Sequence, residues 1–170
     1  MEKKYIDSRK IVDAIAIFLV LAILVGVAIT NATSNRVPTK VYNYGGFGRG
    51  YTLELIDSLD ELKVVCNAHD VSAFNPSDNR YDSNFNKMIR EYDDKFFEKK
   101  SLIIYTLGTT GTGWMYSFEG VYKEDDVLLV DAFAFGGSSL MQVASGAGFF
   151  IEVKKSDIKG VTRVEAMPRD

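Results

Sequence analysis

The chain has 170 residues, of which 46% are apolar and 12% aromatic, with 20 Lys+Arg against 23 Asp+Glu, a formal net charge of −3, one His and one Cys. That length suits one modest domain once the apolar N-terminal stretch is set aside, and the apolar content is enough for a packed core rather than a disordered tail. A single Cys excludes an intramolecular disulfide, and a single His excludes a multi-histidine metal centre. Four basic residues (Lys3, Lys4, Arg9, Lys10) and three acidic ones (Glu2, Asp7, Asp13) lie in the first 30 positions, which leaves 16 basic and 20 acidic residues beyond. A nucleic-acid binder needs the opposite sign gathered on one face, so no nucleic acid is expected as a partner.

Residues 14–30, AIAIFLVLAILVGVAIT, carry no charge, and with Ile11, Val12 and Asp13 the run reaches 20 residues. As a helix this covers the ~30 Å of a hydrocarbon core. Asp13 falls in the first turn, where a carboxylate can stay at headgroup level and meet the positive end of the helix dipole. Lys3, Lys4, Arg9 and Lys10 precede the run and the next basic residues are Arg36 and Lys40. The positive-inside rule then makes residues 1–10 a cytoplasmic tail, residues 11–30 a transmembrane helix and the rest extracytoplasmic. The expected location is the cell membrane, single-pass, with the bilayer contacted through residues 11–30. Thr30-Asn31-Ala32 could serve a signal peptidase, but signal h-regions run only about 7–15 residues, which favours an uncleaved anchor. No Cys closes the run, so a diacylglycerol-linked lipoprotein is not expected.

Residues 31–50, rich in Asn, Thr, Ser and Gly, show neither helical nor strand period and read as a linker. Gly45, Gly46, Gly48 and Gly50 lack the preceding strand and following helix that a phosphate-binding loop requires. From Tyr51 the pattern becomes that of a folded domain, expected over 51–170. Tyr51 to Ile56 alternates as a strand, and Ser58-Leu59-Asp60-Glu61 is a capping box that opens a helix. Leu59, Leu62, Cys66 and His69 form one stripe of that helix, with Cys66 packed inward and His69 at its end. Residues 70–82 form a loop. Asp82 or Ser83 then caps a second helix, on which Phe85, Met88, Ile89, Tyr92 and Phe96 line one face as far as Lys99 and Lys100.

Leu102 to Leu107 is apolar on both faces and suits a central strand. Trp114 to Tyr122 alternates, with Trp114, Tyr116 and Phe118 pointing one way and Met115, Ser117 and Glu119 the other. It turns at Lys123-Glu124-Asp125-Asp126 and returns over Val127 to Phe135 as a hairpin. A Gly/Ser-rich loop over Gly136 to Gly148, a strand from Phe149 to Val153, a turn at Ser156 to Gly160 and a last strand from Val161 to Ala166 complete the order. The expected fold class is α+β: a small antiparallel sheet with two packing helices behind the transmembrane helix.

The stretch from Tyr92 to Val164 carries an acidic-aromatic helix end (Asp93, Phe96, Phe97), an apolar strand, a Thr-Gly-x-Gly-like turn at Thr110 to Gly113, an aromatic hairpin and a late strand ending in Lys154 and Lys155. In this it resembles the C-terminal domain of the protease complex subunit PrcB and related exported proteins of Gram-positive bacteria. Gly113-Trp114 stands where that family often has Gly-Tyr, and Gly136-Gly137 where a Pro commonly follows the second hairpin strand. The resemblance implies a small exported accessory domain that binds or stabilises another envelope protein, a protease in particular, with no catalytic residues to carry over.

Chemistry is thinly represented. A hydrolase would have to use His69 as base, with Asp70 beside it and Ser138, Ser139 or Ser145 as nucleophile, but no Gly-x-Ser-x-Gly elbow is present. Sortase chemistry needs a thiolate after Thr106-Leu107-Gly108-Thr109, where Thr110 stands, and Cys66 lies 44 positions upstream. Asp82, Asn84, Asn86 and Asp93 have a faint calcium-loop spacing, with Lys87 where the turn needs Gly. Neither a catalytic group, a metal nor a cofactor is therefore expected. Surface recognition remains, and Thr109, Thr110, Thr112, Trp114 and Tyr116 are the candidate binding residues, set at a hairpin end where exposed aromatics favour protein or glycan contact. A buried Trp114 is the competing expectation. The leading functional reading is a membrane-anchored, extracytoplasmic, non-enzymatic binding or accessory module. The alternatives are a small envelope hydrolase using His69 and a glycan-binding module using Trp114 and Tyr116.

Overall fold

The computed structural model describes residues 16–21, 35–45, 51–110, 112–138 and 144–169. The chain divides into two compact units, residues 1–36 and 37–170. In the first, residues 16–21 are helical (α1). Among the described residues no helix is long and apolar enough to cross a membrane, and most of the expected span 11–30 lies outside the described residues.

The second unit is α+β. Among the described residues its strands are β1 (Thr39–Gly45), β2 (Thr52–Ile56), β3 (Lys100–Thr110), β4 (Thr112–Glu124), β5 (Val127–Ser138), β6 (Ala144–Lys154) and β7 (Arg163–Ala166). Between β2 and β3 lie α2 (Leu59–Ala68), α3 (Asn84–Ile89) and α4 (Asp94–Phe97). One sheet has the order β1-β6-β3-β2 and the other β4-β5-β7.

Period-two alternation on β3 explains the layering. Leu102 and Ile104 face the helices, while Ile103 and Tyr105 face the other sheet, and all four are buried. The pairing strand β6 divides in the same way, Phe150 toward the helices and Phe149, Ile151 and Val153 toward β4 and β5. One core therefore holds Leu62, Val65 and Cys66 of α2, Met88 and Ile89 of α3 and Phe97 of α4 against Phe150. The other fills the space between the sheets with Val121, Leu128, Val130 and Ala132. Each Val, Leu, Ile, Met or Phe among them contributes about 1.5–3 kcal/mol on burial. Glu152, the one charged residue buried among the described residues, is 8% exposed and is met by Lys100 Nζ at 2.7 Å.

Local chemistry sets the boundaries. Ser58 Oγ accepts the Glu61 N–H at 3.2 Å, and Glu61 reaches back to the Asp57 N–H at 2.7 Å, one residue beyond the usual reciprocal partner of the capping box. α2 ends at His69, as its stripe predicts. The second expected helix is broken in two. Asp93 is extended (φ −91°, ψ −178°) and its carboxylate accepts the Phe96 N–H at 2.9 Å, so a new cap starts α4 where one amphipathic helix was expected to continue. Residues 39–45, expected within the linker, form β1 and pair with β6 from Thr39↔Val153 to Gly45↔Ala147. Their two aromatics, Tyr42 and Tyr44, pack on the helix-side core.

Three further differences concern the strands. The Gly/Ser-rich segment expected as a loop over 136–148 instead carries β5 to Ser138 and starts β6 at Ala144. β4 is bulged between Phe118 and Gly120, which moves the inward phase from Tyr116 and Phe118 to Val121. β7 runs parallel to β5, from Val127↔Arg163 to Val130↔Ala166, although an antiparallel strand was expected. Asp126 explains this: its carbonyl accepts the Thr162 N–H at 2.8 Å and its carboxylate the Thr162 hydroxyl at 2.7 Å, so the chain re-enters beside the start of β5.

Burial also fixes the state of the lone thiol. Desolvation pushes Cys66 up to about 12. Between the ordinary thiol value of about 8.5 and that value, the unfolded chain releases a proton the native chain keeps, so stability should fall as pH rises through this window. At pH 8, iodoacetamide should label Cys66 in denaturant and leave the native chain unlabelled over the same interval; equal labelling would contradict its packing.

Candidate functional site

Residues 109–116 do not form a hairpin tip. Thr109 and Thr110 end β3 opposite Ser145 and Ala144, and Thr112 opens β4 opposite Ser138. The segment is the place where the chain passes from one sheet to the other, and the β4–β5 hairpin turns at the opposite end, at Asp125 (φ 52°) and Asp126. The side chains of Thr109, Thr110 and Thr112 lie outside the described residues. Tyr116 is half-buried and packs against the core between the sheets.

Trp114 is half-buried, neither core nor free surface. Its indole lies over Gly137, where an added Cβ would stand 2.4 Å from the ring. Gly137 also has φ +79°, so both space and backbone favour glycine there. Gly137 is thus the seat of the chain's only Trp.

The exposed apolar groups near this end are others. Met115 and Phe135 are register partners on β4 and β5 and are 55% and 41% exposed. Phe133, two residues along β5, has its ring 5.7 Å from that of Phe135. The Arg169 guanidinium lies 3.4 Å above the Phe133 ring and pairs with the Asp131 carboxylate. The outer face of β4 and β5 therefore presents an apolar patch bordered by an ion pair and by Ser117, whose hydroxyl donates to Glu119 at 2.7 Å. Alternation held the signal: turning Tyr116 and Phe118 inward turns Met115 outward, and the same rule applied to Leu128, Val130 and Ala132 turns out Phe133 and Phe135.

Of the residues of the hydrolase alternative, His69 and Asp70 have described side chains. His69 Nε2 is 3.3 Å from Thr52 Oγ1. Asp70, at φ 53°, gives its carboxylate to Arg80 at 3.1 and 3.2 Å. The side chains of Ser138, Ser139 and Ser145 lie outside the described residues. Arg80 also grips Asp78 at 2.9 Å, and hydrogen bonds from this guanidinium hold both carboxyls below the ordinary Asp range. These bonds fasten the 70–83 loop. Asn86, buried, donates to Ser72 Oγ and the Arg80 carbonyl, and Asp93 caps α4, so two members of the faint calcium spacing act as structural ties. No cluster of His, Cys, Asp and Glu able to hold a metal ion occurs among the described residues.

Comparison with family models, with curated proteins and with solved structures finds no match.

The Trp114–Gly137 contact has a direct optical test. Gly137→Ala must displace the indole, so the emission of the single Trp should shift to the red, with a loss of about 1–3 kcal/mol in denaturant unfolding. Unchanged emission would show that the indole does not rest on Gly137.

Proposed function

We propose that this chain is a single-pass membrane protein, with residues 1–10 cytoplasmic and residues 11–30 in the bilayer, whose extracytoplasmic α+β unit is a non-enzymatic binding or accessory module for an envelope protein. The observation that carries the reading is the exposed Met115–Phe135 pair with Phe133 beside it. Apolar groups on neighbouring strands, rimmed by charge, match the core-and-rim anatomy of protein interfaces. The charge-free run at 14–30 supports the anchor. The resemblance to the PrcB C-terminal domain supports an accessory role and makes a protease the first partner to consider.

Tethering supplies the mechanism. A membrane-held module meets its partners within a thin shell, which raises its effective concentration without any new contact. The second unit begins at Val37, ahead of the boundary expected at residue 51.

Met115→Ser combined with Phe135→Ser tests the reading, because both positions are exposed and the fold should tolerate the change. In cross-linked capture from native membranes by the full tagged chain, an envelope protein should be enriched by the unsubstituted chain and reduced at least about tenfold by the double variant, as expected for interface anchors worth above 1 kcal/mol each. Equal capture by both chains would overturn the assignment of the patch.

A further inference from the structure

The outer face of the β4-β5-β7 sheet extends well past the Met115–Phe135 pair. Leu128, Val130 and Ala132 of β5 and Val164 and Ala166 of β7 face the core between the sheets, so Val127, Leu129, Phe133 and Phe135 of β5 lie on the outer side, with Arg163 and Glu165 of β7 beside them. Past its bulge β4 adds Tyr122 and Glu124 to the same side, opposite Leu129 and Val127. A strand with one solvated face alternates apolar and polar residues. From Val127 to Phe135, β5 is instead apolar on both faces except at Asp131. The helices do not account for this, since they pack on the other sheet.

The two flanks of this apolar ridge carry opposite charge. On β4, Glu124 is the register partner of Val127, and its carboxylate is in no ion pair among the described residues. On β7, Arg163 is the register partner of the same Val127. Its Nε is engaged by Glu165 at 2.8 Å, which leaves the Nη groups able to donate to a second carboxylate. Glu124 and Arg163 are both exposed. A copy turned by 180° about an axis along β5 lays β4 of each chain over β7 of the other and keeps every residue at its own level. Phe133 and Phe135 then meet their own counterparts, and Glu124 of each copy comes opposite Arg163 of the other. An axis across the strands lays β4 on β4 and brings Glu119 and Glu124 toward a second acidic flank, which like-charge repulsion disfavours.

We infer that a second copy of this chain docks face to face on the outer side of the β4-β5-β7 sheet, giving a two-fold dimer with β5 on its axis and a Glu124–Arg163 pair on either side. Sheets pack in this aligned way in β-sandwiches. Three strands about 4.8 Å apart, with about 3.4 Å of rise per residue from Val127 to Phe135, offer about 400 Å² per copy. That area suits a weak and reversible dimer, since stable interfaces bury about 1,200 Å² or more in total. Repulsion between two chains of net charge −3 is spread over the surface and screened beyond about 8 Å, so the close pairs decide. The inference rests on the proposed function in taking this face as an interface, and it adds a regulation of it: an envelope protein captured through Met115 and Phe135 competes with the second copy.

The test is sedimentation equilibrium of the full chain in a density-matched detergent. A monomer–dimer equilibrium is expected, with its Kd raised at least about tenfold by Glu124→Arg and likewise by Arg163→Glu; tenfold corresponds to about 1.4 kcal/mol. Mixed in equal amounts, the two variants should pair with each other about as tightly as the unsubstituted chain, because each then offers the charge that the other lacks. A dimer indifferent to both substitutions, as one formed through residues 11–30 would be, overturns the inference. So does a mixture that fails to restore the dimer. A chain that stays monomeric overturns it too, and its capture of an envelope protein through Met115 and Phe135, measured separately, then decides the proposed function on its own.

Discussion

The ladder between β3 and β6, paired without a break from Lys100↔Lys154 to Thr110↔Ala144, is the constraint on which the domain depends. It is the inner pair of the four-stranded sheet, and each face of it forms the wall of a separate core. A one-residue slip would exchange Leu102 and Ile104 with Ile103 and Tyr105 and send every side chain to the wrong layer. Because both faces are apolar, such a slip would be less costly in hydrophobicity than in shape. The pair of half-buried Lys100 with buried Glu152 helps fix the register, since Glu152 lies opposite Leu102 and meets its cation two residues along β3.

A sheet covered on both faces leaves recognition to its margins. The crossover end carries the corner between β3 and β4, and the outer face of β4 and β5 carries the Met115–Phe135 patch. Among the described residues several polar side chains tie the fold together: Arg80 fastens the 70–83 loop, Asn86 anchors it from below, and Asp126 positions β7. That distribution suits a module that presents surfaces, which is the reading proposed for it.

Much of this was legible in the sequence where one physical signal dominated. The Ser58 cap, the two-sided apolar run of β3 and the β4–β5 alternation each needed only local rules, and each corresponds to an observed element. Failures came where a distant residue decides. Residues 39–45 look like linker because Asn, Gly and Thr dominate their surroundings, and only pairing with β6 makes them a strand. The Asp93 cap competes with helix propensity, and the direction of β7 depends on Asp126. Of the candidate residues, Trp114 and Tyr116 proved to be turned toward packing, while Met115 and Phe135, the outward members of the same alternation, were not singled out.

Native-state hydrogen exchange tests the central role of the β3–β6 ladder most directly. The account predicts that amides of residues 102–105 and 149–153 exchange only through global unfolding, with the denaturant dependence of the whole domain, while β1, β2 and β7 open at lower free energy. Exchange of the β3–β6 amides through local opening, with β4 and β5 the slowest instead, would contradict it.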